Sequence, residues 1–333
     1  MRLPHPRGPL SAAVIDVLRG GDPAALPQSL DAPDDALIDD DLQLALWTMY
    51  ELHYRGFEGV SDRWEWEPRL IQLRNELEAV LLTALRTMVV VPTDGRRVAD
   101  RLRGLVEADD GPSLFRYMQT RADRSQWLEF VAHRSIYQLK EADPHTWAVP
   151  RLPVKAKAAL LEIQLDEYGG GNPALMHSEL FRGVLAELGL RTEHGGYIDV
   201  VPGITLAITN VMSMFGLNRA LRGALVGHLA AYEMTSSEPC RRYAKGLRRI
   251  GGSDAACVFY DVHVTADALH EQLAAHDLCG GLAEAEPELT EDIVFGAAVC
   301  LAVDARFAAH VLDSWAAGAS SLRTADDSLL AVS

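Results

Sequence analysis

The sequence predicts an all-α protein. Apolar residues recur at three- and four-residue spacing almost throughout, alanine and leucine are plentiful, and no alternating strand pattern persists. Residues 1–35, rich in Pro, Gly and Asp, read as partly disordered. Helical periodicity then covers about 40–54, 67–90 and 96–108. After ADDGPS it resumes over about 113–122 and 124–142, stopping at DPHTW. Pro153 suits a first helical turn, so the next helix starts there and ends at YGGGNP. Further helices are expected at 173–188, 203–214, 217–235, 238–249, 253–278, 288–300 and 303–317, with CGGLAEAEPELTED separating two of them. The chain divides accordingly into a helical extension, 1–110, a main domain, 111–320, and a tail, 321–333.

At 333 residues, 48% of them hydrophobic and 23% charged, the chain has an ordinary globular composition and can bury a large core. A net charge of −16 argues against nucleic acid and anionic membrane as main partners, since both need a basic surface. Apolar runs such as LLTALRTMVVVP are too short and interrupted to span a bilayer, and MRLPHPRGPL has no signal-peptide core, so a cytoplasmic location is expected. Cys240, Cys257, Cys279 and Cys300 lack ligand spacing and read as reduced, mostly buried thiols. No HExxH, Walker loop, GxSxG or GxGxxG after a strand is present.

The stretch FYDVHVTADALHEQ holds the strongest chemical signal. A helix advances ~100° per residue, which puts Asp267 at about +40° and His270 at about −20° from His263. Asp261, Thr265 and Gln272 lie opposite, so three ionisable groups occupy the apolar side of an amphipathic helix. Desolvating them is costly unless they pair or bind a cation. Hydrogen-bonded core histidines would satisfy one helix alone; the same inversion on other helices argues for more. Glu167 aligns with Ala156, Leu160 and Ile163, whereas Glu162 and Asp166 share the charged side of Lys155. His177 lies in a seam with Phe181, Val184 and Leu188, and the GGGNP kink can turn it towards Glu167. Glu141 aligns with Phe130, Arg134 and Tyr137, with a salt bridge to Arg134 as its simpler explanation. Glu233 aligns with Val226 and Leu229, either as a further ligand or as a group orienting a histidine. Three carboxylates and three histidines, without thiolate, are the inventory of a two-metal site for iron or manganese, with zinc a further candidate.

The run from HRSIYQLKEADPHTW through IQLDEYGGGNPALMHSELF to FYDVHVTADALH resembles the haem-oxygenase-like di-iron oxidase and oxygenase family, some of whose members are described as iron-containing redox enzymes. His263, Asp267 and His270 match its most specific motif, His-x3-Asp-x2-His, and the resemblance covers about residues 113–317. It implies a haem-oxygenase-like bundle of about seven core helices and a ligand set of Glu141, Glu167, His177, His263, Asp267 and His270. The family's Glu-x6-His pairing on one helix is absent, which leaves Glu162 and Glu233 as alternatives to Glu141. The resemblance further implies two Fe(II) ions, with manganese a weaker fit, and O2 as co-substrate. The expected activity is that of an oxidoreductase acting on a small nitrogen-containing metabolite by N-oxygenation or oxidative cleavage. Arg134, Tyr137, Tyr168 and Arg222 are expected in the substrate pocket.

Two other classes share this fold: a metal-free binding or scaffold protein, and a haem-dependent one. Haem needs one axial histidine and leaves Asp267 and Glu167 unexplained. In the segment LWTMYELHYRGF, Glu51 and His53 diverge on a helix, so they do not share a metal; its aromatic residues suit packing against the core or a second subunit in a homodimer.

Overall fold

Some helices begin at a side-chain cap. Asp39 accepts a hydrogen bond from the Leu42 amide at 2.7 Å, and Asp123 and Gln126 form a reciprocal capping box ahead of Arg124. In the computed structural model, residues 1–28, 32–91 and 95–323 are described, except for the side chains of 265–269. The first helices are α1 (Pro9–Leu18), α2 (Asp40–Glu51), α3 (Pro68–Met88), α4 (Val98–Ala108) and α5 (Leu114–Thr120). They are followed by α6 (Arg124–Gln138), the single turn α7 (Asp143–Thr146), α8 (Val154–Glu167), α9 (His177–Glu187) and α10 (Gly203–Leu217). The last are α11 (Arg222–Thr235), α12 (Ser237–Arg249), α13 (Asp254–Gln272), α14 (Gly280–Ala285) and α15 (Thr290–Ala316). Among the described residues there is no strand, and the fold is all-α.

The bundle is built from α6, α8, α9, α10, α11, α13 and α15, with α11 lying along α15 and α9 along α13. α10 is buried along almost its whole length, and α2 packs on it. The described part of the first 110 residues thus shares one hydrophobic core with the bundle.

Several expected boundaries change. Pro9–Leu18 is a helix with Val14 and Ile15 fully buried, where partial disorder was expected. Charge ties hold this segment: Arg7 donates to the carbonyls of Ile198 and Val201 at 2.5 and 2.8 Å and pairs with Asp40 at 3.2 Å. α6 stops at Gln138, short of Glu141. α13 runs into a π-helical turn, Leu273–Cys279, and then α14, so CGGLAEA continues the helix. Gly281 is a packing residue there: a Cβ on it would meet the Lys155 side chain at 3.1 Å, so α14 approaches α8 closely. The two helices expected near 288–317 are one, α15, because nothing around Leu301 breaks it. Pro287–Ala316 is also long and apolar enough to cross a membrane, contrary to the expectation of no such run, but most of it is buried inside the bundle. The tail starts packed: Ser321 is buried and donates its backbone N–H to Glu129 at 2.9 Å, while Arg323 pairs with Asp40. All four cysteines are buried, and none forms a disulfide.

Candidate metal centre

Four helices and one turn deliver ionisable groups to the inside of the bundle. α6 ends early, so Glu141 sits in the turn before α7, where its carboxylate accepts the Tyr137 hydroxyl at 2.8 Å. Arg134 does not pair with Glu141, as the simpler explanation had it; it bonds Asp304 at 3.0 Å. Glu167 is the last residue of α8, and Gly169, Gly170 and Gly171 all take positive φ behind it. That reversal brings His177, the first residue of α9, back to Glu167, with Nδ1 and Oε1 3.0 Å apart. α13 presents His263 and His270, and α11 presents Glu233.

These groups form two clusters. Glu141, Glu167, His177 and His263 place one ligand atom each within 4.8 Å of one another, and so do Glu167, Glu233 and His270. Glu167 belongs to both. Asp267 lies on α13, but its side chain falls outside the described residues. Glu233, expected as either ligand or orienting group, is a full member of the second cluster; Glu162 is exposed and belongs to neither.

Each α13 histidine has one nitrogen engaged and one turned inward. His263 donates Nδ1–H to the Phe259 carbonyl at 2.7 Å, leaving Nε2 3.8 Å from Glu141. His270 hydrogen-bonds Asp166 through Nε2 at 2.9 Å and points Nδ1 at Glu233, 3.3 Å away. A ligating histidine is oriented in this manner, its second nitrogen held by a carbonyl or carboxylate. Asp166, expected on a solvated face, is about half exposed yet makes this bond. No wheel calculation on α8 alone reveals its partner on α13.

The inward atoms lack hydrogen-bond partners: His177 Nδ1, Glu167 Oε2, His263 Nε2 and His270 Nδ1 are all buried with none in bonding alignment. Close unpaired donors of this kind are destabilising unless a cation neutralises them. Burial and the neighbouring carboxylates raise Glu141 to about 8 and Glu167 to about 7, although nearby histidines oppose the shift. Burial lowers His177. Burial would lower His270 too, but Glu233 and Asp166 outweigh it and raise it to about 9. Buried imidazole and carboxylate donors without thiolate fit a hard or borderline divalent cation, and the shared Glu167 fits two.

A cavity of about 730 Å³ opens above the clusters, with Glu141, Glu167, Glu233 and His263 in its floor. Phe130, Tyr137, Tyr232, Tyr243 and Tyr260 form much of its wall, and Tyr137 stacks on Tyr232 with ring centres 5.4 Å apart. Of the expected pocket residues, Arg134 and Tyr137 line it. Tyr168 does not; its hydroxyl donates to Asp143 at 2.9 Å outside the large cavity. Arg222 is likewise absent from the wall, paired with Glu286 and bonded to the Arg219 carbonyl. Asp304 was missed, although an acidic residue within the apolar run AAVCLAVDARFAAHVL was its available signal.

A family model described as iron-containing redox enzyme matches residues 128–305, more than half of the chain. A nitrosourea synthase from Streptomyces achromogenes subsp. streptozoticus is 28% identical over 159 residues, which cover 47% of this chain. The match spans about a third of that relative's length, 34%.

Proposed function

The chain belongs to the iron-containing redox enzyme family, and from that premise we propose that it is a non-haem di-iron oxygenase or oxidase of a small nitrogen-containing metabolite. The observation that carries this is the pair of donor clusters joined through Glu167, with four inward atoms unpaired by hydrogen bonds. One iron would be held by Glu141, Glu167, His177 and His263, the other by Glu167, Glu233 and His270. Bound iron supplies the reactivity towards O2 that no side chain here provides.

The chain's own residues prepare that chemistry. Phe259 and Asp166 hold the two α13 imidazoles with one nitrogen free for a metal. Tyr137 hydrogen-bonds Glu141 and restrains its carboxylate. Aromatic rings line the cavity beside the clusters, and about 730 Å³ suits a small metabolite. Arg134 and Asp304 place a charged pair in that wall, where a polar nitrogen group of the substrate can be oriented. The extension of the nitrosourea synthase's nitrogen chemistry to this chain belongs to the proposal.

Anaerobic Fe(II) loading followed by metal analysis tests it: about two equivalents are expected, with O2 uptake on exposure to air. His263→Ala is expected to retain at most about one equivalent. Absence of bound iron in the wild type, or a Soret band from haem, would overturn the proposal.

A further inference from the structure

Glu141 stands on a turn, outside regular helix, so something other than helix geometry must hold it. The turn is gripped from two sides. From α8, Gln164 donates to the Ala142 carbonyl at 2.9 Å, and from the residue just after α8, Tyr168 donates to Asp143 at 2.9 Å. From the N-terminal region, Glu51 at the end of α2 accepts the Lys140 ammonium at 3.1 Å and approaches His194 Nε2 at 3.1 Å. Lys140 also lies over the rings of Tyr54 and Trp47, at 4.3 and 5.7 Å, and Arg55 reaches the Leu139 carbonyl at 3.5 Å. Glu51 is fully buried, Lys140 is 2% exposed and His194 is 8% exposed. Burial would raise the Glu51 carboxyl, but Lys140 and His194 outweigh it and hold it at about 2.

Burying three ionisable groups is a poor route to stability, since an apolar trio of similar volume often does as well. A buried pair does, however, hold the residue beside it in one geometry. We infer that Glu51 is a positioning residue for the metal centre: through Lys140 it fixes the backbone that presents Glu141, so the N-terminal helices complete a site whose ligands all lie within residues 128–305. This inference rests on the two-metal proposal above.

The test compares Glu51→Gln, Glu51→Asp and Glu129→Gln in the full chain. Glu129 is a buried control, accepting bonds from Trp315 at 2.8 Å and from Ser321. Anaerobic Fe(II) binding isotherms, circular dichroism and thermal midpoints are recorded for each. Glu51→Gln is expected to stay helical and to weaken one of the two iron-binding steps by about ten- to hundredfold. Glu51→Asp should recover part of that loss, and Glu129→Gln should lower the midpoint with both steps unchanged. If Glu51→Gln does not fold, the double variant Glu51→Gln/Lys140→Met leaves no buried lysine unpaired and is expected to show the same single weakened step. Two unchanged steps in the folded Glu51 variant, or equal weakening in Glu129→Gln, would overturn the inference. A wild type that binds no iron would instead remove the two-metal proposal, and this inference with it.

Discussion

A histidine serves a metal best when its second ring nitrogen is already engaged, because ring and tautomer are then held in place. His263 has the Phe259 carbonyl and His270 has Asp166, so both rings are held as a metal ligand would be, although only the first bond is local to α13. Asp166→Asn keeps one acceptor oxygen but loses the carboxylate charge. It is expected to weaken the second iron step by about tenfold and leave the first intact, read from the two-step Fe(II) isotherm. Equal affinities in variant and wild type would remove Asp166 from the site. Face geometry makes His263, His270, Glu167 and His177 legible, because an ionisable group on an apolar face is a local conflict visible in spacing alone. Asp166, Tyr168 and Arg222 were not legible. Whether such a polar side chain faces a site, a solvent channel or another partner depends on the neighbouring helix.

At the level of the helix pair, α11 carries Glu233 into the second cluster and lies against α15 at backbone distance. A Cβ on Gly227 would come within 1.8 Å of the Ile293 carbonyl oxygen, and one on Gly296 within 1.9 Å of that of Ala224. Gly227→Ala and Gly296→Ala must therefore push the helices apart, and each is expected to destabilise by about 1–3 kcal/mol in urea unfolding. Gly183 on α9 has nothing within 4 Å of its would-be Cβ. Gly183→Ala is expected to stabilise by about 1 kcal/mol through helix propensity alone. Like signs for the two classes would refute the close-crossing account. Propensity reasoning treats all these glycines alike, as it treated the Gly280–Gly281 pair as a break. Only the crossing separates a glycine that interrupts a helix from one that lets two helices meet.

For the molecule as a whole, the acid limit of stability should bear the mark of the buried Glu51. Its carboxyl sits at about 2 in the folded chain, against about 4.3 when unfolded, so its contribution is present above the unfolded value and disappears as pH falls towards 2. The difference corresponds to about 3 kcal/mol at neutral pH. The urea stability gap between wild type and Glu51→Gln is therefore expected to shrink between pH 7 and pH 3; a constant gap would contradict the assignment. By itself the sequence determined the all-α class, the inward carboxylates and histidines and the family, because helical periodicity and buried charge are properties of neighbours along the chain. Tertiary structure decided that Glu167 joins two clusters, that Glu233 enters one of them, that Glu162 stays outside, and that the N-terminal helices hold the turn bearing Glu141. Each of those is a contact between residues far apart in sequence, set by how helices cross, and a single helix's spacing carries no record of what it packs against.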